Sequence, residues 1–380
     1  MIKKVSGEPG LVRAVFVHLG ESPCQHLWLN VERHKKIFPE VPVHLVVNSF
    51  KHLRNIPEGC EVLFLEKSHL NERLSQNRDV IFRRGFWSHT LARLFVLQHF
   101  HEKYSDSSVL HVESDVLLLP DFPWKELSEV NKLAWQQYNT ERDVASLLYI
   151  PNLNLGKVFV ELLEDELEIR PEHTDMTILK AIYLKNPELI GYLPIVSRKL
   201  PSLINVSFSN PESILKEDFS NRTLKEGVFD SAALGMWLLG HDPRNTYGKF
   251  LLHEMSPIRL GGTPIDPSAV YYQLSPDGRL KIHDKIDKKK KLSVWSLHIH
   301  SKERQLFSDN WLERLEMYVQ LANNNPAPLK GWRFSSVLSM FVDSIWTRTP
   351  HKFFLGFPFV HRFRRLVVEL RGRLLNGKFK

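Results

Sequence analysis

The chain is poor in several features that assign proteins to particular classes. Among its 380 residues it has only two cysteines, Cys24 and Cys60, which excludes a disulfide framework and indicates a reducing compartment. No run of about 18 apolar residues is present, which argues against a membrane-spanning helix. The opening MIKKVSGEPG lacks the apolar core of a signal peptide. We therefore expect a cytoplasmic globular protein.

Most of the chain also lacks an excess of positive charge, although its net charge is +8. Residues 329–380 hold 11 of the 51 Lys and Arg residues, against only Asp343 and Glu369. The rest of the chain is therefore close to neutral. A neutral body argues against a groove for the phosphate backbone, and we predict no nucleic-acid partner.

Short apolar runs alternate with helical patterns along the chain. Residues 12–19, 43–48 and 60–65 are β-branched and apolar on both faces, which is typical of parallel strands covered by helices. The sequence predicts an α/β fold with a mainly parallel, Rossmann-like sheet. The NNNPAP segment, 323–328, predicts a linker, which separates a domain at 1–322 from a tail at 329–380. Further predicted strands are 108–119, 133–137, 146–150, 280–286 and 292–300, and predicted helices are 26–37, 86–100, 154–168, 174–183 and 229–239.

An acidic tripeptide interrupts the most apolar of these strands. Glu113 and Asp115 flank Ser114 within VLHVESDVLLL, and on one strand their side chains would project to the same side. Burying two carboxylates is costly unless their charge is compensated, and Mg²⁺ or Mn²⁺ with oxygen ligands is a natural compensator. The alternative is that Asp115 lies in solvent at a strand edge and Glu113 pairs with a Lys or Arg.

A second candidate segment is HIHSK near the end of the main body. His298 and His300 would face one way on a strand, and Lys302 follows. Imidazole is a ligand for transition metals, and a lysine ammonium binds phosphate as a point charge. The alternative is that each histidine is a half-buried strand residue with ordinary hydrogen bonds.

Two aspartates and one arginine complete the candidate set. Asp230 precedes an apolar helical pattern that contains Gly235, and Asp175 follows Thr174 at another helix start. Each position has a sufficient structural explanation as a helix cap, and each is also a candidate site residue. Arg93 is a candidate anion contact, although such arginines often only pack.

In their order along the chain these segments resemble nucleotide-sugar-dependent glycosyltransferases of the GT-A fold. HVESDVLLL resembles the D-x-D motif of those enzymes, with Glu113 in place of the first aspartate. The stretch TDMTILKAIY, which contains Asp175, resembles the glycogenin-like and bacterial lipopolysaccharide galactosyltransferase group. LHIHSK resembles that group's late His and Lys, although with a shorter spacing. The block FDSAALGMWLLGHDPRN is similar to surface-polysaccharide glycosyltransferases.

The resemblance implies a GT-A-like fold over residues 10–322 and a set of roles. Glu113 and Asp115 would bind metal and sugar nucleotide, and His298 or His300 would complete the coordination. Arg93 and Lys302 would contact the donor, and Asp230 or Asp175 would orient the sugars or act as base. The implied cofactors are Mn²⁺ or Mg²⁺ and a nucleotide-sugar, most simply a UDP-sugar, with a glycan or lipid-linked acceptor.

The tail at 329–380 predicts a basic, amphipathic, aromatic-rich helical segment. It contains eight of the 23 Phe residues, and such a composition is typical of attachment to a membrane surface. We therefore expect peripheral location on the inner face of a membrane. The alternatives are a helical pair packed on the main domain and a dock for a protein partner.

Two other functions remain open on the sequence. Glu113, Asp115 and the two histidines would also suit a metal-dependent phosphoesterase. A non-catalytic adaptor that binds a membrane through its tail is the other alternative.

Overall fold

The computed structural model of the chain describes most of the predicted main domain. The described residues are 11–20, 25–49, 56–65, 86–138, 142–195, 224, 227–239, 270–284, 291–300 and 303–324. Lys302 and the tail at 329–380 lie outside them. Within the described ranges, no helix is both long and apolar enough to cross a membrane.

A seven-stranded sheet forms the centre of the fold. Its order is β3-β2-β1-β4-β7-β6-β8, and only β7 runs against the others. The strands are β1 (Val12–His18), β2 (Val43–Val47), β3 (Glu61–Phe64), β4 (Ser108–Val112), β6 (Leu133–Gln137), β7 (Asp143–Ile150) and β8 (Ile190–Tyr192). β2 and β7 are buried along their whole length, because helices cover both faces of a mainly parallel sheet. The predicted α/β fold class is confirmed.

Helices pack on the two faces of this sheet and form two separate cores. Leu27 and Val31 of α1 (Gln25–Ile37) pack with Phe16 and Leu45 on one face. The other face is covered by α2 (Phe86–Lys103), α4 (Leu153–Ile169) and α5 (Asp175–Lys185), whose apolar residues pack on Val15 and its neighbours. The remaining helices are α3 (Trp124–Ser128), α6 (Ala233–Leu239) and α7 (Trp311–Asn324).

A second sheet continues from the first at the acidic tripeptide. It has the order β10-β11-β12-β5, and β9 pairs in parallel with β12. Its strands are β5 (Val116–Leu118), β9 (Gly227–Phe229), β10 (Val270–Leu274), β11 (Leu280–Asp284) and β12 (Lys291–His298). A third core lies between this sheet and the helices α6 and α7. The last two strands, β11 and β12, pair antiparallel.

Two predicted elements are wrong in detail. The expected strand at 108–119 is two strands in different sheets, because Val116 N donates to Glu113 O (3.0 Å) and closes a turn. Glu113 N bonds to Ser146 O of the first sheet, whereas Asp115 O accepts Ile299 N of the second. The helix expected from 229 begins only at Ala233, because the preceding segment pairs with β12 as β9.

Candidate metal centre

Three side chains from distant parts of the sequence meet where the two sheets join. β5 and β12 are antiparallel, and their register places His298 opposite Val116. Val116 closes the turn formed by residues 113–116, here called the acidic turn. Ligand atoms of Glu113, Asp115 and His298 all lie within 4.8 Å of one another. His298 Nε2 is 3.5 Å from a carboxylate oxygen of Glu113 and 3.5 Å from one of Asp115. The turn, rather than alternation along a strand, brings both carboxylates to the imidazole.

The imidazole of His298 is oriented by its other ring nitrogen. Nδ1 lies 3.2 Å from the carbonyl oxygen of Ser231, so Nδ1 carries a proton and donates it, while Nε2 points at the carboxylates. Metal-binding histidines are commonly oriented by such a carbonyl. Burial alone would lower the pKa of His298, but the charges of Asp115 and Glu113 outweigh it and raise the pKa to about 9.

A divalent cation fits this donor set. Two carboxylates and one imidazole offer oxygen and nitrogen ligands of the kind that Mn²⁺ accepts, and Mg²⁺ is commonly held by one or two carboxylates. A cation would take the place of the Nε2 proton that the carboxylates now attract, since a ligating imidazole must be neutral. Asp115 and His298 are 7% and 8% exposed, so few water molecules compete for them.

His300 stacks on His298 and is not one of the three residues of the candidate metal cluster. Its ring stacks on that of His298 with centroids 4.0 Å apart and an angle of 26° between the planes. β12 ends at His298, and the amide of His300 donates to the carbonyl of His298 (3.0 Å). In the described part of the chain, the group that could hold a metal contains His298 and not His300.

Arg93 links one carboxylate of the cluster to α5. Its guanidinium pairs with Glu113 and, at 2.7 Å, with Oδ2 of Asp175. Burial raises the pKa of Asp175 while the charge of Arg93 opposes that rise. Asp175 Oδ1 and Arg93 Nε are buried without a hydrogen-bond partner among the described residues. Thr174, not Asp175, caps the helix, since its side chain accepts from Thr177 N (3.3 Å).

Asp230 has a different environment from Asp175. Its Oδ1 accepts from the amides of Ala232 and Leu234, both at 3.0 Å, and its Oδ2 accepts from Gly235 at 2.7 Å and His298 at 3.0 Å. The carboxylate therefore fixes the start of α6 and the backbone of His298 at the same time. This is the capping role that the sequence left open beside a catalytic one.

Gly235 permits this arrangement. A Cβ atom there would lie 2.0 Å from the carbonyl oxygen of His298, so only glycine lets α6 approach the end of β12 so closely. The sequence placed Gly235 within the helical pattern but did not identify the backbone of His298 as its neighbour.

Sequence reasoning missed the groups that support the site from outside. The carbonyl of Ser231 orients His298 through the backbone, so no residue type could have revealed it. Asn30 of α1, which is 2% exposed, bonds to the acidic turn. The signal for it was an amide on the helix face that also carries Leu27 and Val31.

Solved structures that are similar to this chain are glycosyltransferases. The galactosyltransferase LgtC, in complex with donor and acceptor sugar analogs, is 15% identical, with a TM-score of 0.37, and the match covers 56% of this chain and 83% of LgtC. The apo-form glycosyltransferase GlyE of Streptococcus pneumoniae TIGR4 is 18% identical, with a TM-score of 0.32, and the match covers 48% and 45% of the two chains. A glycosyltransferase involved in glycosylation of the major capsid of PBCV-1 is 13% identical, with a TM-score of 0.31 and coverage of 48% and 80%.

Neither a protein-family model nor a curated protein matches the chain. The chemistry of Glu113, Asp115 and His298, and not these similarities, is the basis for assigning an activity.

Proposed function

We propose that the chain is a metal-dependent glycosyltransferase that moves a sugar from a nucleotide-sugar donor, in the simplest case a UDP-sugar, to a glycan or lipid-linked acceptor. The observation that carries this proposal is the convergence of Glu113, Asp115 and His298 within 4.8 Å. Such an enzyme would act in the synthesis of a surface polysaccharide or glycoconjugate. The domain at 1–322 would carry the activity.

Departure of a nucleoside diphosphate requires that its negative charge be stabilised. A bound Mn²⁺ or Mg²⁺ supplies that charge stabilisation without proton transfer. Glu113, Asp115 and His298 would hold the cation at the joint between the sheets. Lys302, which follows the site closely in sequence, is proposed as a contact for the diphosphate.

Arg93 and Asp175 would bind and orient the transferred sugar. Asp175 is buried and Arg93 is half-buried beside Glu113, and each has a buried polar atom without a hydrogen-bond partner among the described residues. A buried donor and acceptor of this kind suit sugar hydroxyls, which both donate and accept. We assign the catalytic role to Asp175, and we assign Asp230 to positioning because four backbone amides occupy its oxygens.

The decisive experiment replaces the central ligand. In Asp115→Asn, Mn²⁺-dependent release of nucleoside diphosphate from a panel of sugar nucleotides should fall at least about 100-fold, while the thermal midpoint stays near wild type. Asp309→Asn is the matched control, because the Asp309 side chain is 81% exposed. Full turnover in the Asp115 variant would refute the assignment.

The same assay separates the proposal from its two rivals. A phosphoesterase would release phosphate or a nucleoside monophosphate from the sugar nucleotide and would need no acceptor. An adaptor would release neither product. Detection of nucleoside diphosphate together with a glycosylated acceptor supports the transferase. A nucleoside monophosphate product would instead indicate the phosphoesterase.

We also propose that residues 329–380 attach the protein to the cytoplasmic face of a membrane, because 11 basic residues and eight Phe residues are concentrated there. Each basic residue near an anionic surface contributes about 1 kcal/mol. Deletion of 329–380 should move the protein from the membrane fraction to the supernatant. Unchanged partitioning would favour a tail that packs on the main domain or binds a protein.

A further inference from the structure

The acidic turn is held from two sides, and only one of them is a strand. β12 pairs with one edge of β5, where Asp115 O accepts from Ile299 N at 2.7 Å and Leu119 N donates to Trp295 O at 2.9 Å. β5 is the last strand in the order of its sheet. Its other edge therefore has backbone groups that need partners from another element.

Helix α1 supplies those partners through its side chains. Asn30 Nδ2 donates to the carbonyl oxygen of Ser114 at 3.2 Å and to that of Val116 at 2.8 Å. Arg33 Nη1 donates to the carbonyl oxygen of Leu118 at 2.9 Å. Alternate carbonyls along this edge are thus bound by two residues of one helix, in the place where a further strand would bind them.

The two hydrogen bonds of Asn30 lie on either side of Asp115 along the backbone. Ser114 and Val116 are the neighbours of Asp115 on either side, so one amide group holds both peptide carbonyls that flank this carboxylate. Asn30 is 2% exposed, and the apolar side chains of Leu27 and Val31 beside it are fully buried. Leu27 and Val31 have no polar atoms, so they cannot replace the lost donors.

We propose that Asn30 is a positioning residue of the cation site, which it controls by fixing the backbone on both sides of Asp115. This inference rests on the proposed function, since it assumes that Asp115 is a metal ligand. Without the amide, the two buried carbonyls would be left unpaired. The turn would relieve this by rotating its peptide planes, which would move the Asp115 carboxylate relative to His298.

The test measures cation affinity directly. Asn30→Leu keeps the approximate side-chain volume and removes both donors, and Mn²⁺ is titrated into the chelator-treated full chain by electron paramagnetic resonance. We expect Mn²⁺ affinity to fall about 10- to 100-fold, as for other residues that orient metal ligands. Ca²⁺ affinity should fall less, because Ca²⁺ tolerates irregular geometry, so the ratio of Ca²⁺ to Mn²⁺ affinity should rise.

Arg33→Met is the matched control. It removes a buried donor from the same helix and the same strand edge, but its bond is to Leu118, three residues beyond Asp115. Its Mn²⁺ affinity should stay within about twofold of wild type, since orientation of the ligand itself is unchanged. If both variants lose stability and neither loses Mn²⁺ affinity, Asn30 is merely structural and the proposal is overturned.

Three further outcomes are also decisive. If Asn30→Leu does not fold, Asn30→Ser replaces it, because a hydroxyl has one donor and cannot bond both carbonyls; wild-type Mn²⁺ affinity in that variant overturns the proposal. If the wild-type chain itself binds no Mn²⁺, the proposed function fails, and the inference about Asn30 fails with it. A wild-type site that binds Mn²⁺ and is unaffected by Asn30→Leu refutes only the inference.

Discussion

Two buried aspartates lie at the starts of helices near the cluster of Glu113, Asp115 and His298, and their surroundings differ. Asp175 is at the start of α5 and pairs with the side chain of Arg93, while its Oδ1 has no hydrogen-bond partner among the described residues. Asp230 precedes α6 and accepts hydrogen bonds from four backbone amides. The two are 4% and 2% exposed, so burial does not distinguish them.

The difference shows how one sequence signature serves two purposes. An aspartate before an apolar helical pattern predicts a cap in both cases. At α5 the cap is Thr174, which leaves the Asp175 carboxylate for Arg93 and for a ligand. At α6 the aspartate itself caps the helix and also holds the amide of His298. The partners of the oxygens, and not the position in the helix, indicate which aspartate can do chemistry.

The comparison predicts that Asp230→Asn mainly affects stability. The amide would keep one acceptor oxygen and turn its NH₂ group toward two backbone donors, so two bonds to a charged acceptor are lost. We expect the free energy of unfolding to fall by about 3 kcal/mol or more, measured by urea denaturation. Asp309→Asn should leave it unchanged. A fully stable Asp230 variant with reduced turnover would reverse our assignment.

Asp175→Asn should show the opposite pattern. The amide oxygen can still accept from Arg93, which keeps its pairing with Glu113, and burial disfavours the charged carboxylate that is lost. The free energy of unfolding should therefore fall less than in Asp230→Asn, by about 1 kcal/mol. Turnover of the sugar nucleotide should fall about 100-fold, which corresponds to about 2.7 kcal/mol of the barrier. Wild-type turnover with a large loss of stability would make Asp175 structural.

Gly235→Ala tests the close approach on the Asp230 side. Alanine normally stabilises a helix relative to glycine, but here its Cβ would lie 2.0 Å from the carbonyl oxygen of His298. We expect a loss of about 2 kcal/mol, as for other overpacked sites, with weaker Mn²⁺ binding. Gly191→Ala is the control, since the nearest atom to its Cβ would be 3.9 Å away. Equal effects of both changes would contradict the close approach.

The smallest expected effect is the pH dependence of stability that the buried His34 causes. Burial, together with the nearby charge of Arg33, lowers the pKa of His34 to about 3, whereas the carboxylates raise that of His298. His34 stays neutral in the folded protein, whereas in the unfolded chain it takes up a proton near pH 6.5. The contribution of His34 to the free energy of unfolding is therefore lost as the pH falls. Between pH 6.5 and 5.5 the loss should be about 1 kcal/mol.

The variant His34→Phe isolates this contribution. Phenylalanine suits the surrounding rings of Phe16, Phe38 and Trp124 and cannot be protonated. Urea denaturation at both pH values, with chelator present, should show a pH dependence about 1 kcal/mol smaller than in wild type. An identical pH dependence in the two proteins would mean that His34 does not stay neutral.

Much of the fold could be predicted because the relevant signals are local. Apolar β-branched runs predicted β1 and β2 to within a residue or two, and helical periodicity predicted α1 and α5. The break at Glu113 was missed because apolar residues resume at Val116 directly after the acidic tripeptide, while the strand partner changes from β7 to β12. Nothing in the neighbouring residues encodes that change.

The sequence by itself determined which groups are available: two carboxylates within an apolar run, a distant pair of histidines, and two aspartates at helix starts. Tertiary structure decided which of them meet. The register of β5 on β12 selected His298 over His300, and backbone amides occupied Asp230 while Asp175 was left to Arg93. The physical reason is that a side chain's chemistry is fixed by its type, whereas its partners are fixed by strand pairing and helix packing over long sequence separations.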